Sequence, residues 1–347
     1  MGRWVLSRLL RTAFGVWVIA SAVFLLSRHA GTRPQDLPDA TDLSGRSTGT
    51  VVARRAARTA MQQRLGLDLP LFYASRNGST WQWHGAQNQY HAWLQRAVRG
   101  DWGRSFRTGQ PVAGRLLAAL AYTGPLTGTA LLLAVAAALA LGQRLAARPW
   151  WHRPVRAALT ALQALPLFVV AVGLLLVFAN PELLDWFPAY GLGPDSPSDA
   201  GWWFQVGQYA ARAVLPIASL VLVALPGLTL QLEAGLALEL RAPYATTARA
   251  KGLPEALVVR RHALRNALLP LITQLTDLLP ALVAGAVVVE VVFAVPGMGR
   301  LLAEAAATRD FPVLVGAVAL SGSARLLAQV LADVFYQWAD PRIRWQR

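Results

Sequence analysis

Blocks of about twenty apolar residues, separated by stretches rich in arginine, dominate this sequence. A helix needs roughly twenty such residues to cross about 30 Å of hydrocarbon. Hydrophobic residues make up 55% of the 347 residues and charged residues 15%, far from an ordinary soluble domain. The arginines behind the net charge of +15 lie between the apolar blocks, where membrane topology explains them better than nucleic-acid binding does. The pattern predicts an all-α integral membrane protein that contacts the lipid bilayer and binds no nucleic acid.

Six membrane spans are predicted, with the N- and C-termini in the cytoplasm. The first is interpreted as a retained span rather than a signal peptide, because it is long and no small-residue cleavage site follows it. Short loops rich in arginine are assigned to the cytoplasm. Pro166 is expected to kink the third span, and Pro216 and Pro226 to break the fourth. The predicted spans are approximately 9–26, 122–141, 157–179, 212–232, 271–295 and 313–338.

The predicted organisation has three parts. Residues 1–27 form the N-terminal tail and first span, residues 28–121 a long segment outside, and residues 122–347 a core of five spans. Long segments cross a membrane largely regardless of their charge, so the arginines of the second part do not contradict its position.

A polar, basic segment at residues 233–270 separates the fourth and fifth spans, and we call it the elbow. Pro243 is predicted to open a short helix and Gly252 to close it with left-handed backbone. Pro254 and Glu255 then open a second helix, with the carboxylate where the helix dipole favours negative charge. These helix-start and helix-end residues predict a helix-turn-helix on the membrane surface.

The second helix of the elbow has a predicted amphipathic pattern. Leu257, Leu264 and Leu268 are expected to share one narrow apolar stripe, and the opposite side is expected to carry His262, Arg265 and Asn266.

Two stretches of the elbow, YATTARAKGLPE at 244–255 and RRHALRNALLPLIT at 260–273, resemble the cytoplasmic EAA loop of ABC importer permeases. The spacing is similar to that of the peptide/nickel family, in its dipeptide and oligopeptide B-type subunits. The resemblance extends to LGLDLPLFY at 65–73, to residues 93–112, to residues 287–314 and to VFYQWADPRIR at 334–344. The stretches 32–59 and 75–89 have no recognised counterpart and are interpreted as loop inserts.

This resemblance implies a type I ABC importer permease fold with a cytoplasmic coupling helix and a long periplasmic segment after helix 1. The chain would lie in the bacterial inner membrane with a second homologous permease, two ATP-binding subunits and a periplasmic substrate-binding protein. The coupling helix would sit in a groove of the ATP-binding subunit, where Arg249 and Lys251 would meet acidic or helix C-terminal groups. The implied coupling residues are Tyr244, Thr247, Ala248, Arg249, Ala250, Lys251, Gly252, Leu253 and His262.

Catalytic machinery is not predicted in this chain. Its only lysine, Lys251, is followed by Gly252 and Leu253, which excludes the phosphate-binding pattern GxxxxGK[ST]. ATP and magnesium are therefore expected on partner subunits, and no cofactor here. The GxSxG match at residues 45–49 lacks the strand and helix of a nucleophile elbow. His84 and His91 could share a helix face, but surface histidines are the simpler interpretation, and no metal site is predicted.

Polar residues within the spans are candidates for the translocation pathway, because burying them in a membrane is costly. We hypothesise that Asp277 and Arg325 pair between the fifth and sixth spans. Alternatively, Arg325 lines the pathway and meets a peptide carboxylate. Gln329 and Asp333 are expected to satisfy one another or backbone groups. The candidates are Thr273, Gln274, Asp277, Glu290, Arg325, Gln329 and Asp333.

The pairing hypothesis has a direct test. Arg325→Ala is expected to destabilise the protein by leaving a buried carboxylate without its partner, and the Asp277 plus Arg325 double replacement is expected to recover part of that loss. The measurement is the thermal unfolding midpoint of the purified chain. A double variant as unstable as the sum of the single variants would exclude the pair.

The predicted function is ATP-driven import of di- or oligopeptides by alternating access, with nickel complexes, glutathione and peptide antibiotics as alternative substrates. The leading rival is an ATP-independent channel or carrier, although the internal repeat common in carriers is not seen. A membrane-embedded enzyme and a scaffold that anchors peripheral proteins are the rivals outside transport. Copurification with ATP-binding subunits would separate the importer from all three.

Overall fold

The computed structural model describes residues 2–31, 69–77, 80–147, 152–191 and 202–339. The insert at 32–59, with its GxSxG match, and the C-terminal residues 340–347 lie outside this part. The elements in chain order are α1 (Gly2–Gly31), β1 (Ala74–Asn77), β2 (Thr80–Trp83), α2 (Gln89–Val98), α3 (Val112–Ala147), α4 (His152–Gln163), α5 (Leu167–Phe178), α6 (Trp202–Glu239), α7 (Pro243–Ala250), α8 (Glu255–Val258), a π-helical turn (Val259–Ala263), α9 (Leu264–Val292), α10 (Met298–Ala307) and α11 (Phe311–Ala339).

Two of the described helices are long and apolar enough to cross a membrane, in the stretches Val112–Ala146 and Gly207–Glu239. The pair α4 and α5 would make a third span if it is one broken element. Leu132 and Phe168 are large apolar side chains that point out of the protein, as expected for helices whose outer surface contacts lipid. Six spans and the sidedness of the termini stay predictions.

The proline predictions were wrong in opposite ways. Helix α6 continues through Pro216 and Pro226 without a break, because a helix in an apolar environment has no other way to satisfy its backbone groups. At Pro166, in contrast, α4 and α5 meet at an angle of 103°, which is a break and not the predicted kink. Helix α3 also begins at Val112, before the predicted start of the second span at Tyr122.

The prediction of an all-α protein was wrong for residues 74–83. Strands β1 and β2 form an antiparallel hairpin in which Ala74 pairs with Trp83 and Asn77 with Thr80. The hairpin overlaps the stretch 75–89, for which no counterpart was recognised, and each of its strands is only four residues long.

The described residues divide into two compact units. The first comprises residues 1–118 and 301–323, and its small core packs Phe24 of α1, Tyr90 of α2 and Val315 of α11 together. In the same unit, the buried Asp310 accepts hydrogen bonds from Ser105 Oγ at 2.5 Å and from the Phe106 amide at 3.0 Å. Arg115 pairs with the same carboxylate at 3.4 Å. These contacts tie the loop before α3 to the start of α11.

The second unit, residues 119–300 and 324–347, is built on α3, α6 and α9. One apolar cluster joins Leu126, Leu220 and Phe293. The other lies towards the elbow and packs Ala138 of α3, Leu232 of α6 and Ala267 of α9. Small residues allow α6 and α9 to approach closely, since a Cβ at Gly235 would lie 3.2 Å from the Ala267 carbonyl oxygen, as is typical of helix packing in membranes.

Candidate functional site

Helix α7 is the first helix of the elbow, and its ends follow the predicted punctuation. Pro243 occupies its first turn, where a proline loses no intrahelical hydrogen bond. Gly252 has the left-handed φ of +80°. Its amide donates to the Arg249 carbonyl at 2.9 Å, and the Leu253 amide donates to the Ala248 carbonyl at 3.3 Å. This is the Schellman arrangement, which satisfies carbonyls that the helix end leaves unpaired.

The two faces of α7 differ sharply. Ala245 and Ala248 are buried and pack with Val258 of α8 and with Leu253. The opposite face is exposed over its whole length, at Tyr244, Thr246, Thr247, Arg249, Ala250 and Lys251. The described part of the chain therefore presents one surface of α7, about two helical turns long, to the outside.

Arg249 is held within the elbow rather than left free to meet a partner. Its guanidinium donates two hydrogen bonds to Glu255, at 2.6 and 2.9 Å, and a third to the Leu240 carbonyl at 2.8 Å. The hydrogen bonds from Arg249 lower the pKa of the Glu255 carboxyl below its ordinary value. The pair is consequently intact at neutral pH and is lost only as the pH falls through that lowered pKa. Lys251 is exposed.

A second clamp connects three elements of the elbow. The Tyr244 hydroxyl donates a hydrogen bond to Glu239 at the end of α6. Asn266 Nδ2 of α9 lies 3.4 Å from Glu239 Oε2 and 3.4 Å from the Tyr244 hydroxyl oxygen. Partial burial raises the pKa of Tyr244, and the hydrogen bond to Glu239 adds to this shift. The hydroxyl therefore stays protonated at neutral pH and continues to donate. Together the two clamps fix α7 to the ends of α6 and α9.

The predicted apolar stripe of the second helix is confirmed for Leu264 and Leu268, which are half-buried against the core, and is wrong for Leu257. Leu257 is exposed, whereas Val259, Ala263 and Ala267 are buried. The reason is the π-helical turn at Val259–Ala263, which holds more residues per turn than an α-helix and so rotates the following residues around the axis. His262 is half-buried.

The elbow and the apolar helices share one core. Val259, Ala263, Ala267 and Leu271 pack in the same cluster as Leu228, Leu232 and Leu236 of α6. Because such packing is dense and deforms little, the second half of the elbow and the adjoining end of α6 form one packed body.

Glu290 was predicted as a pathway candidate, and the structure places it fully buried near the end of α9. One carboxylate oxygen accepts from Thr123 Oγ1 at 2.6 Å, and the other accepts from the Gly299 and Arg300 amides at 2.7 and 3.0 Å. Thr123 Oγ1 in turn accepts from the Met298 amide at 2.8 Å. Glu290 and Thr123 thus accept hydrogen bonds from the first amides of α10, where the helix dipole also favours a negative charge.

The other pathway candidates are only partly described. Gln274 is half-buried, and its buried Oε1 has no hydrogen-bond partner in the described part of the chain. The side chains of Thr273, Asp277, Arg325, Gln329 and Asp333 lie outside the described part, so the pairing of Asp277 with Arg325 stays a prediction.

The sequence interpretation missed the buried Glu233 of α6. Its carboxylate contacts His152 Nε2, and Arg156 Nη1 lies 3.7 Å away. Both partners belong to α4, so the pair joins this helix to α6. His152 and Arg156 are far from Glu233 in the sequence, so no local pattern of charges indicates this contact.

His84 and His91, between α1 and α3, do not share a helix face. His84 follows β2 and bonds to Ser75 Oγ at 2.7 Å, whereas His91 lies on α2 and bonds to the Tyr73 hydroxyl at 2.9 Å. Among the described residues, no group of three His, Asp or Glu side chains could hold a metal ion.

Long apolar helices joined by a capped, polar elbow describe a membrane protein. The family model of the binding-protein-dependent transport system inner membrane component matches residues 129–345. The chain belongs to this family.

Relatives from several bacteria are similar over most of the chain. The oligopeptide transport system permease protein AppB of Bacillus subtilis (strain 168) is 33% identical over 258 residues, which cover 74% of this chain and 80% of the relative. The glutathione transport system permease protein GsiC of Escherichia coli (strain K12) is 32% identical over 288 residues, 82% of this chain and 84% of the relative. A putative peptide transport system permease protein of Brucella abortus (strain 2308) is 31% identical over 259 residues.

Proposed function

We propose that this chain is the permease subunit of an ATP-driven ABC importer, and that its elbow couples ATP hydrolysis to the membrane spans. It would lie in the bacterial inner membrane with six spans and both termini in the cytoplasm. It would form the translocation pore with a second homologous permease, and receive substrate from a periplasmic binding protein. ATP and magnesium would be bound and hydrolysed by two separate subunits.

The observation that carries this proposal is the construction of α7. Its inner face is buried, its outer face is exposed along the whole helix, and two clamps hold it to α6 and α9. A short helix held this firmly but covered on one side only is suited to docking in a groove of another protein. The family membership supports the same reading, because a binding-protein-dependent transport system needs partner subunits.

The mechanism we infer is alternating access. Closure of the two ATP-binding subunits would displace α7, and the core shared by the elbow, α6 and α9 would carry this displacement into the spans as a rigid-body movement. The pore would open outward and accept substrate, and hydrolysis would return it to the inward state. In this cycle Arg249 acts within the chain as a brace, and the exposed Lys251 is the cation available to the partner.

The substrate class we propose is a di- or oligopeptide. The relatives with this similarity are named for oligopeptide, peptide and glutathione transport, and glutathione is itself a small peptide derivative. Nickel complexes and peptide antibiotics are the remaining candidates. The direct test reconstitutes the complex in liposomes and measures ATP hydrolysis with each compound and its binding protein. Uptake without any copurified ATP-binding subunit would replace the importer with a carrier.

Two alanines on opposite faces of α7 test the docking surface. Ala250→Leu adds bulk to the exposed face, so we expect the chain to stay stable while substrate-stimulated ATP hydrolysis falls about tenfold, as it would for roughly 1.4 kcal/mol of lost interaction. Ala245→Leu adds the same bulk to the fully buried face, so we expect a destabilisation of about 1–3 kcal/mol from overpacking. Hydrolysis and thermal unfolding are measured on both variants. If Ala250→Leu hydrolyses ATP like the unaltered protein, the partner does not dock on this face.

A further inference from the structure

Two tryptophans on β2 are the most exposed aromatic side chains of the described residues. Trp81 is 74% exposed and Trp83 76% exposed. Residues two apart on a strand project from the same face, so both indoles lie on one side of the hairpin and Gln82 on the other. An isolated two-stranded hairpin is marginally stable in water, and a pair of uncovered indoles adds a further cost unless something else covers them.

Contacts within the first unit connect this hairpin to the end of an apolar helix. Ser21 Oγ lies 2.7 Å from the Tyr90 hydroxyl, and the Phe24 ring stacks on Trp93 of α2 with centroids 4.8 Å apart. Ser21 and Phe24 belong to the last turns of the apolar stretch Ala13–Leu26 of α1. The body formed by α2 and the hairpin is therefore attached where this stretch ends.

Aromatic rings continue from α1 to the hairpin without a gap. Tyr90 lies 5.8 Å from Phe24, Tyr73 lies 6.0 Å from Tyr90, and Trp83 stacks on Tyr73 at 6.0 Å between centroids. These three steps place Trp83 no more than about 18 Å from Phe24, near the end of the apolar stretch of α1.

The surface around the hairpin has the charge and polarity of a membrane-contacting surface. Residues 74–100 contain Arg76, Arg96 and Arg99 and no acidic residue, so no carboxylate of this stretch would be repelled by lipid phosphates. Leu26 and Phe72 of the same unit are also exposed. Tryptophan is enriched at membrane–water interfaces because its ring is apolar and its N–H polar.

We propose that Trp81 and Trp83 anchor the hairpin in the lipid headgroup region beside the end of α1. The occupant of this face is the membrane surface, in the periplasmic leaflet under the topology proposed above. The anchor would hold the described hairpin and α2 against the bilayer. The inference needs α1 to lie in a membrane and does not depend on the coupling role of the elbow.

The chain contains no cysteine, which allows site-directed spin labels to be placed one at a time. Trp81→Cys and Trp83→Cys report on the exposed face, and Gln82→Cys is the matched control on the opposite face of the same strand. The assembled complex is studied in nanodiscs of phosphatidylethanolamine and phosphatidylglycerol. The complex with the unaltered chain supplies the label background of partner subunits. Collision with oxygen, which enters lipid, is compared with collision with a nickel chelate, which stays in water.

We expect the ratio of oxygen to nickel collision to be at least about twofold higher at positions 81 and 83 than at 82, because only the first two would lie in the interface. Equal, water-like values at all three positions would overturn the proposal. Protection of 81 and 83 from both reagents, or a change in their spectra on adding the binding protein, would assign this face to a protein partner instead. Copurification of ATP-binding subunits is scored separately, so failure of the anchor and failure of the importer assignment are distinguishable.

If the cysteine variants do not fold, the unaltered chain and the double variant Trp81→Leu, Trp83→Leu are compared in nanodiscs that contain lipids brominated near the headgroup. Loss of the quenched part of the fluorescence in the double variant supports the anchor. Identical quenching in the two proteins overturns it.

Discussion

Replacing Glu290 by alanine is expected to destabilise the second unit by about 3 kcal/mol or more, because each buried donor left without its partner costs about 1–3 kcal/mol. The substitution would leave the amides of Gly299 and Arg300 unpaired and would remove the acceptor of the Thr123 hydroxyl. The measurement is the thermal unfolding midpoint of the purified chain in detergent. Glu290→Gln keeps one carbonyl oxygen as an acceptor, so its unfolding midpoint is expected to lie between those of the unaltered protein and Glu290→Ala.

The control for Glu290 is Glu182→Ala, which removes an exposed carboxylate of the same unit. Exposed substitutions of this kind usually change stability by no more than about 0.5 kcal/mol. Gly297 offers an independent check, since a Cβ there would overlap the Glu290 carboxylate, so Gly297→Ala is expected to be destabilising as well. A stable Glu290→Ala variant that loses transport would return Glu290 to the pathway, as the sequence alone predicted.

Replacing Gly252 by proline is expected to abolish the stimulation of ATP hydrolysis by substrate while the complex still assembles. Gly252 has a φ of +80°, whereas proline is restricted to about −65°. Its amide hydrogen bond to Arg249 would also be lost, so α7 would lose its C-terminal cap and its angle to α8. No atom outside its neighbours lies within 4 Å of a Cβ at this position, so the effect would come from the backbone and not from a clash. Gly252→Ala is expected to be milder, with a cost of about 1–2 kcal/mol for left-handed backbone.

Gly109→Pro is the matched control for Gly252→Pro. Gly109 has a φ of +68°, its amide donates to the Ser105 carbonyl at 3.0 Å, and the space around its Cβ is also open. Gly109→Pro therefore imposes a comparable backbone strain and removes an equivalent hydrogen bond, but in the first unit. ATP hydrolysis in proteoliposomes is measured for both. Equal losses would show that general strain, and not the elbow, is responsible.

The ends of the elbow helix were predictable because helix capping is a local matter. Pro243 and Gly252 act through their own backbone preferences, within a few residues of the position at which α7 begins and ends. Periodicity was a weaker guide. One π-helical turn was enough to expose Leu257 and to bury Val259, Ala263 and Ala267, while Leu264 and Leu268 stay half-buried against the same core.

The partners of charged residues could not be predicted in the same way. Arg249 was expected to meet another protein, but Glu255 lies within its reach once α7 and α8 fold against each other. Glu290 was expected in the pathway, but it caps α10 with the help of Thr123, far away in the sequence. The hairpin was not expected at all, because its four-residue strands carry too little pattern to be recognised.

The membrane class, the family and the position of the elbow could be recognised from the amino-acid sequence. Long apolar blocks, cap residues and contiguous motifs each act over one short stretch, so their meaning does not depend on the remainder of the fold. The exposed face of α7, the partners of Arg249 and Glu290, and the positions of Trp81 and Trp83 became apparent once the helices were seen packed together. These properties depend on which distant segments pack together, and a contact between residues far apart in the sequence produces no local pattern around either residue.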